Sequence, residues 1–396
     1  MKVNIYKLDY FGRGITYIDD KICFINNAFP NEIVEINITN EKSKYKEGEV
    51  KEVVEKSPYR IKSECPFSNK CGGCTFQKYD YNEENKYKEN KIREQVKNRL
   101  KINDNIVKNI VYSDKEYYRN KLVLHGNKKD LGQYQNKTNE IVDIDNCIIS
   151  NKKINEIIKA LRNYKEIEEV LIRTSNNLKE VLIDIKGNIN DYEELLNICD
   201  VLIINDKVIT KKDSIITNIG SKKYYLSSKS FFQVNKDLTE NLFEKVKEYI
   251  KEIKPNKLLD LYCGTGSIGI YVSDYAKEIV GIDYNKSNIE NAKNNVLLNN
   301  LNNINFICDK VENRIDEFTD FDVVIVDPPR KGLDIHTCKY LLQMKPKSII
   351  YVSCDINTLI RDLELLRKEY DIKEITPYNL FPRTYHCESI TVLERR

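Results

Sequence analysis

The chain has 396 residues, too many for one ordinary hydrophobic core, and we expect about two or three domains. Lysines and arginines number 64 against 61 aspartates and glutamates, so the net charge of +3 does not by itself indicate a nucleic-acid partner. No apolar run approaches the roughly 20 residues of a membrane span, and residues 1–10 lack the features of a signal peptide. We therefore expect a cytoplasmic protein without a membrane partner, and we expect it to be a monomer.

Residues 1–58 alternate apolar and polar positions in short runs separated by turn residues, as in residues 12–18 and 32–38. This pattern predicts a small β-barrel. The segment Lys42-Ser43-Lys44-Tyr45-Lys46 combines lysines that can meet phosphate with a tyrosine that can stack on a base. A solvated hairpin fits this segment equally well, and the sequence alone does not decide between the two.

Residues 59–228 contain clustered cysteines. The chain has eleven cysteines, an odd number, and no secretory feature, so metal binding or catalysis is a better use for clustered ones than disulfides. Cys65, Cys71, Cys74 and the more distant Cys147 have a spacing that suits either tetrahedral zinc or a cubane cluster, and the spacing prefers neither. A charged helix is predicted over residues 82–100, and strands are predicted at residues 121–124, 170–173 and 181–184.

Residues 229–396 follow a different pattern. Apolar, strand-like runs alternate with helical stretches, at residues 258–262, 279–282, 304–307, 323–326 and 349–352. This alternation predicts an α/β fold with a mostly parallel, doubly wound sheet. Ligands of such folds bind beyond the carboxyl ends of the strands, so the residues that follow each run are the candidates for a site.

A glycine-rich turn, residues 260–269, follows the first of these runs, and Asp283 ends the second, where a carboxylate can hold a ribose diol. These two features suit a nicotinamide cofactor or a methyl donor. The fourth run ends in Asp327-Pro328-Pro329-Arg330, and a Pro-Pro step imposes a rigid bend that is costly for a plain connection. We therefore favour a methyl donor.

Cys354 leaves the fifth run ahead of a predicted helix, whose amino terminus is expected to lower the pKa of the thiol. This position favours a nucleophile over a buried apolar cysteine. Glu388 opens the last strand-like run, where burial can raise the pKa of a carboxyl toward that of a working base. A salt-bridged glutamate at a sheet edge is the competing interpretation, and for His386 both packing and RNA contact are open.

These motifs resemble those of the bacterial RNA 5-methyluridine methyltransferases, in particular the iron–sulfur branch that modifies 23S ribosomal RNA, over nearly the whole chain. Residues 1–58 resemble a TRAM domain, an OB-like RNA-binding module. Residues 230–235 match the family segment whose glutamine, here Gln233, contacts S-adenosylmethionine. Other positions match the family's cofactor-binding or active-site residues, its nucleophile motif and its base motif: Tyr262, Asp283, Asp309, Asp327, Ser353-Cys354-Asp355 and His386-Cys387-Glu388.

The resemblance implies S-adenosylmethionine and a [4Fe-4S] cluster as cofactors, RNA as the partner, and a Rossmann-like methyltransferase domain over residues 229–396. Residues 59–228 would then be a central α+β domain that holds the cluster. Asp309 would hold the adenine amino group of the cofactor. In the implied reaction, Cys354 attacks carbon 6 of uracil, and Glu388 removes the proton from carbon 5 after methyl transfer.

Two positions depart from the family pattern, because Ser267 stands where several relatives have asparagine and Asp283 replaces a more usual glutamate. Both keep a polar group at shorter reach. The tRNA-specific branch typically lacks the clustered cysteines, so the resemblance implies 23S rRNA. The alternatives are a tRNA uridine-C5 enzyme, a base-amino methyltransferase of the same fold, a 5-methylcytidine enzyme and a non-enzymatic iron–sulfur RNA-binding protein.

Overall fold

The structure is a computed structural model that describes residues 1–136 and 138–396. Its first part is a six-stranded sheet in the order β1-β5-β6-β4-β3-β2, in which β4 and β6 are parallel and the other neighbours antiparallel. The strands are β1 (Lys2–Asn4), β2 (Lys7–Leu8), β3 (Gly14–Ile18), β4 (Lys21–Asn26), β5 (Ile33–Glu41) and β6 (Tyr45–Glu55).

The two edges of this sheet are formed by one short stretch of chain. Residues 2–4 pair with β5 at one edge, and residues 7–8 pair with β3 at the other. The stretch therefore closes the sheet on itself around an apolar interior that includes Cys23, Ile25 and Val34. This closed sheet confirms the small β-barrel predicted from the alternating pattern.

The central part begins with helix α1 (Tyr81–Gln95), which continues as a π-helical turn (Val96–Leu100) and is followed by a 3-10 turn (Asp104–Ile106). A seven-stranded sheet in the order β13-β12-β11-β10-β7-β8-β9 follows, with a separate two-stranded hairpin, β14-β15. The elements are β7 (Lys121–Gly126), β8 (Leu131–Tyr134), β9 (Ile141–Asp143), α2 (Lys152–Leu161), β10 (Ile167–Thr174), β11 (Val181–Gly187), α3 (Glu193–Leu196), β12 (Val201–Ile204), β13 (Lys207–Val208), β14 (Ser214–Ile219) and β15 (Lys222–Ser227).

The last part contains a seven-stranded sheet in the order β18-β17-β16-β19-β20-β22-β21. Its elements are α4 (Lys236–Ile253), β16 (Lys257–Leu261), α5 (Ser267–Tyr271), a 3-10 turn (Ser273–Tyr275), β17 (Glu278–Asp283), α6 (Lys286–Leu298), β18 (Ile304–Cys308), α7 (Val311–Arg314), a 3-10 turn (Ile315–Glu317), β19 (Val323–Val326), α8 (Ile335–Met344), β20 (Ser348–Ser353), α9 (Ile356–Leu366), β21 (Tyr370–Tyr378) and β22 (Glu388–Arg395).

Strands β16 to β20 are parallel, which confirms the predicted doubly wound sheet, and β22 is antiparallel to both of its neighbours. Antiparallel pairing brings the first residue of β22 beside the last residue of β20, since Ser389 pairs with Ser353. The start of β22 thus lies at the same edge as the carboxyl ends of the parallel strands. This edge carries the candidate site.

Helix α1 connects the central part to the last sheet through a buried polar cluster. The Lys88 ammonium is fully buried and lies 2.8 Å from Glu84 and 2.6 Å from the side-chain oxygen of Asn379. The Glu84 carboxylate also accepts the backbone N–H of Arg383 at 2.9 Å. Because Asn379 and Arg383 belong to the loop between β21 and β22, this cluster fixes the loop that leads to Glu388.

Among the described residues, no helix has both the length and the apolarity that a membrane span requires.

Candidate active site

The glycine turn after β16 forms an open cradle. Gly264 and Gly266 have φ values of +55° and +73°, in the left-handed region that favours glycine. A Cβ at Gly266 would lie 2.3 Å from the ring of Phe306, whereas a Cβ at Gly264 would meet no atom within 4 Å. The turn is thus packed from behind at Gly266 and faces free space at Gly264. Free space beside an exposed backbone suits a ligand that approaches closely.

Asp283 ends β17 beside this turn. Its Oδ2 accepts the Gly264 N–H at 3.0 Å, and its Oδ1 accepts the Asn285 N–H at 2.8 Å. These bonds hold the carboxylate at the rim of the cradle. Asp309, after the neighbouring β18, is partly exposed and accepts hydrogen bonds from the Lys310 N–H and the Asn313 amide. The bond to Asn313 is the first reason that the pKa of Asp309 is lowered.

The carboxyl groups of Asp260 and Asp327 lie near that of Asp283. Asp260 in β16 is buried, and its Oδ2 accepts the Gly269 N–H at 3.1 Å. Burial raises the pKa of Asp260 to about 8, and the charges of Asp327 and Asp283 add to this effect. Burial and the charge of Asp283 likewise raise the pKa of Asp327 to about 7. Carboxylates gathered in this way favour a cationic ligand, whose charge would offset their mutual repulsion.

Gln233 lies in the segment between β15 and α4. Its side-chain oxygen Oε1 is buried and has no hydrogen-bond partner in the described part of the chain. A buried amide oxygen without a partner is costly, so a donor from a ligand would stabilise it. The structure therefore makes Gln233 a fitting acceptor for the amino group of a bound molecule.

The remaining predicted cofactor residues flank the glycine turn. Tyr262 has a φ of +61°, an uncommon value for a residue with a Cβ, and burial raises the pKa of its hydroxyl. Ser267 is the first residue of α5, and its backbone oxygen accepts the Tyr224 hydroxyl at 3.1 Å. Both residues thus lie where the sequence predicts them, beside the turn.

Cys354 follows β20 directly, and Asp355 caps α9 by accepting the N–H groups of Asn357 at 3.0 Å and Thr358 at 3.1 Å. The predicted lowering of the Cys354 pKa by this helix is wrong. Burial raises the pKa of Cys354 to about 12, and the carboxylates of Glu388, Asp327 and Asp355 add to the rise. The Asp355 carboxylate already accepts hydrogen bonds from the N–H groups of the first turn of α9. The positive end of the helix dipole is therefore neutralised in part by Asp355 and does little to stabilise a Cys354 thiolate.

Glu388 is 4 % exposed at the start of β22. Burial raises its pKa to about 8, the charge of Asp327 adds to this, and the charge of Arg330 acts in the opposite direction. The predicted effect of burial is confirmed. Among the residues that the structure describes, no Lys, Arg or His nitrogen lies within 4.0 Å of the Glu388 carboxylate. The salt-bridged alternative therefore receives no support.

Sequence reasoning missed Arg330 as a member of this site. The Arg330 charge lowers the pKa of both Cys354 and Glu388, so the guanidinium lies close enough to act on the predicted nucleophile and the predicted base together. Its Nη2 lies 3.2 Å from Nε2 of His386. Burial, then Arg330, lowers the pKa of His386 to about 4, so this ring is neutral at pH 7. The signal was present in the sequence, because Arg330 directly follows the Pro-Pro step.

The four clustered cysteines act on one another electrostatically, although Cys147 is distant in sequence from the other three. The charge of Cys147 raises the pKa of Cys65, Cys71 and Cys74, after the larger effect of burial, which brings that of Cys74 to about 12. The Gly73 N–H points to the Cys71 sulfur at 3.5 Å. Among the described residues, no three His, Cys, Asp or Glu side chains are grouped so that they could hold a metal ion. The cluster therefore stays a prediction.

The lysine-rich segment of the N-terminal domain forms the turn between β5 and β6 with residues 42–44, and its last two residues, Tyr45 and Lys46, begin β6. Lys46 is buried and pairs with Asp19 at 2.7 Å, and the Tyr45 ring packs on Phe24 with centroids 5.9 Å apart. These two side chains are therefore engaged within the domain. Lys42 and Lys44 are exposed and can reach a phosphate.

Comparison with known families gives two matches. The profile described as tRNA (Uracil-5-)-methyltransferase matches residues 202–396. The TRAM domain profile matches residues 1–51. The two profiles therefore cover the closed N-terminal sheet and the part that carries the candidate site.

The chain is also similar to individual proteins. It is 32 % identical to an uncharacterized RNA methyltransferase of Aquifex aeolicus, with 100 % of this chain and 98 % of the relative aligned. An uncharacterized RNA methyltransferase of Staphylococcus aureus is 29 % identical, over 98 % of this chain and 96 % of the relative. The solved tRNA (uracil-54, C5)-methyltransferase of Pyrococcus abyssi, in complex with S-adenosyl-L-homocysteine, superposes with a TM-score of 0.82 at 26 % identity, covering 99 % of this chain and 100 % of that one.

Proposed function

The chain belongs to the S-adenosylmethionine-dependent RNA uracil-C5 methyltransferases, and from that premise we propose that it methylates a uridine of 23S ribosomal RNA, with Cys354 as nucleophile and Glu388 as base. One observation carries this assignment of roles. Cys354 directly follows β20, and Glu388 opens the adjacent strand β22. The charge of Glu388 acts on Cys354, and the charges of Asp327 and Arg330 act on both, at the edge that also holds the glycine cradle.

S-adenosylmethionine, when bound, supplies the methyl group. The chain's residues fit it, because Gln233 offers an unpaired buried acceptor and the carboxylates near the cradle suit a cation. We assign Gln233 to the amino group, Asp283 to the ribose hydroxyls and Asp309 to the adenine amino group. Tyr262 and Ser267 would line the same cradle, and Asp327 would stand between the cofactor and the target base.

The protein contributes two groups to the chemistry, the Cys354 sulfur as nucleophile before methyl transfer and the Glu388 carboxylate as base after it. The partly exposed Cys354 thiol first releases its proton to solvent water. Its sulfur then bonds to carbon 6 of uracil, so that the electron pair of the 5,6 double bond makes carbon 5 nucleophilic. After carbon 5 has taken the methyl group, the Glu388 carboxylate accepts the carbon 5 proton. The electron pair of that C–H bond restores the double bond and expels the Cys354 thiolate. A Glu388 pKa of about 8 suits a base that works near neutral pH.

Two variants test these roles. Cys354→Ala should bind RNA and S-adenosylmethionine and yield neither product nor adduct. Glu388→Gln should accumulate a protein–RNA adduct that survives denaturing electrophoresis and carries radiolabel from the methyl group, because the proton cannot leave. Methylation by Cys354→Ala would refute the nucleophile, and normal turnover by Glu388→Gln without an adduct would refute the base.

The four cysteines support a [4Fe-4S] cluster in the central part. The charges of Cys65, Cys71 and Cys147 raise the pKa of Cys74. The Gly73 N–H points at the Cys71 sulfur and the Gln77 amide at the Cys74 sulfur, each at 3.5 Å, as donors do toward thiolates that hold a cluster. We assign the cluster a structural role, since methyl transfer moves no net electrons. Because the tRNA-specific branch of the family typically lacks these cysteines, their presence is our basis for proposing ribosomal RNA.

The tRNA enzyme of Pyrococcus abyssi makes tRNA the second candidate substrate. Mapping 5-methyluridine in both ribosomal and transfer RNA of a strain that lacks this gene decides between them. Loss of one modified position in 23S rRNA, with tRNA unchanged, would support the proposal. Loss confined to tRNA would refute the ribosomal assignment and leave the chemistry intact.

A basic cavity of about 500 Å³ lies between the N-terminal domain and the cysteine loop. Its lining includes Lys56, Arg60, Lys62 and Lys78 beside Cys65, and no acidic residue. Arg60 is engaged with Glu32 at 2.8 Å, but Lys56 and Lys62 are exposed. We infer that RNA phosphates cross this cavity, because its exposed lysines, Lys56 and Lys62, form no ion pair among the described residues and supply the attraction that the small net charge of the whole chain does not.

A further inference from the structure

The turn between β2 and β3 of the N-terminal domain reaches the nucleophile. The hydroxyl of Tyr10 donates a hydrogen bond to Oδ2 of Asp355 at 2.8 Å, across 345 positions of sequence. Asp355 directly follows Cys354 and caps α9. The domain matched to TRAM therefore has a direct contact with the residue next to the proposed nucleophile.

The turn that carries Tyr10 is held from several sides. Asp9 accepts the N–H groups of Phe11 at 2.9 Å and Arg13 at 2.7 Å, which fixes the shape of the turn. The Tyr87 hydroxyl of α1 donates to the backbone oxygens of Asp9 and Tyr10 at 2.8 and 2.9 Å. A side chain presented by so constrained a turn has little freedom to leave its partner.

Helix α1 also bridges from Tyr10 to the catalytic edge. The Lys91 ammonium lies 4.4 Å from the centroid of the Tyr10 ring and donates to the backbone oxygen of Tyr385 at 2.9 Å. The Phe11 ring packs edge-on against Tyr385, with centroids 5.4 Å apart. Tyr385 belongs to the loop before Glu388, so the same turn contacts the approaches to both nucleophile and base.

The two oxygens of Asp355 have separate tasks. Oδ1 accepts the N–H groups of Asn357 and Thr358 in the first turn of α9. Oδ2 accepts the Tyr10 hydroxyl and has no other hydrogen-bond partner in the described residues. Ser353, on the other side of Cys354, exchanges hydrogen bonds with the backbone of Asp355 at 3.0 and 3.2 Å. The orientation of the Cys354 backbone thus depends on how firmly Asp355 is held.

We propose that Tyr10 is a positioning residue for Cys354, acting through Asp355, so that the N-terminal domain completes the active site as well as binding RNA. This inference rests on the proposed role of Cys354. It predicts that the loss of one hydroxyl in the RNA-binding module slows the chemical step, because a nucleophile displaced by a fraction of an ångström attacks less often.

The test is Tyr10→Phe in the full chain, with Tyr81→Phe as the matched control. Tyr81 also donates across the structure, to the Ser113 backbone oxygen at 2.7 Å, but it has no contact with Asp355. Tyr10→Phe should lower kcat about tenfold with the KM for RNA unchanged within about twofold, as expected for losing a hydrogen bond to a charged group. Alkylation of Cys354 by iodoacetamide, followed by peptide mass spectrometry, should slow about threefold or more. The control should keep wild-type values.

Asp355→Ser removes the acceptor while retaining a capping oxygen, and it leaves the N-terminal domain untouched. If Tyr10 acts through Asp355, adding Tyr10→Phe to Asp355→Ser should change kcat and alkylation no further. Additive effects would overturn the proposal, as would a Tyr10→Phe variant that raises only the KM for RNA or matches wild type in both measurements. Cys354→Ala is assayed alongside to separate the two proposals. If Cys354→Ala still methylates RNA, the proposed role of Cys354 is refuted. If Cys354→Ala is inactive, the results for Tyr10→Phe test the positioning role of Tyr10 alone.

Discussion

Glu388→Gln should stabilise the protein at neutral pH while it blocks turnover. The carboxyl is 4 % exposed, and its pKa is raised from 4.5 to about 8, first by burial. The folded protein therefore keeps a proton that the unfolded chain releases above pH 4.5. The associated stability is fully present below pH 4.5 and is lost as the pH rises toward 8. Glutamine fills the same space without a charge to bury.

The size of the effect follows from the two pKa values. For each pH unit between the unfolded and the folded pKa of Glu388, the free energy of unfolding falls by about 1.4 kcal/mol. Ionisation of Glu388 in the unfolded chain therefore lowers the free energy of unfolding by about 3 kcal/mol at pH 7 and by about 1 kcal/mol at pH 5. These are upper limits, because glutamine has to bury an amide that also seeks partners. We expect Glu388→Gln to gain about 1–3 kcal/mol at pH 7 and clearly less at pH 5.

Urea unfolding at pH 5 and pH 7 measures this difference through the shift in midpoint. Glu394→Gln, near the end of the same strand with a side chain 51 % exposed, is the control and should show no pH-dependent gain. An equal gain for Glu388→Gln at both pH values, or a loss at pH 7, would refute the reasoning. Either result would mean that Glu388 ionises in the folded protein much as it does in the unfolded chain.

Three further outcomes are expected. Protein purified without oxygen should be brown and hold about four irons per chain, and Cys74→Ala should lose the visible absorbance. Stoichiometric zinc in place of iron would contradict the cluster. Lys56→Gln combined with Lys62→Gln should lower the slope of log K for RNA against log salt by about 1.5–2, whereas the same change at the remote Lys277 should not; an unchanged slope would remove the basic cavity from the RNA path. Gln233→Leu should weaken S-adenosylhomocysteine binding about tenfold by calorimetry, and unaltered affinity would exclude Gln233 from the cofactor site.

The strands of the methyltransferase part were predictable because each is a short apolar run that both faces of a parallel sheet bury. Residues 323–326, for example, are all fully buried in the middle of the sheet. Their carboxyl ends then placed Asp283, Asp327 and Cys354 at one edge, as the alternation predicts. Glu388 was harder, since only the antiparallel return of β22 brings it beside β20.

The rise in the pKa of Glu388 by burial was predictable from the sequence, but the pKa of Cys354 and the long-range contacts were not. The helix after Cys354 suggested a lowered thiol pKa, but burial and three carboxylates outweigh that helix. The spatial neighbours that cause the rise, such as Glu388, are known only from the fold. The bond between Tyr10 and Asp355 likewise joins residues from opposite ends of the chain, and no local pattern around Tyr10 signals it.

The buried cluster around Lys88 has a consequence for how this sequence can diverge. Lys88 and Glu84 are both inaccessible to solvent, and Glu84 also receives the Arg383 backbone N–H. Loss of Glu84 alone would leave the Lys88 ammonium without its carboxylate in a medium that cannot solvate it, whereas loss of Lys88 alone would leave Glu84 with the Arg383 guanidinium at 3.5 Å. A relative that lacks the carboxylate at position 84 should therefore also lack the charge at position 88, and an alignment of relatives should show this dependence.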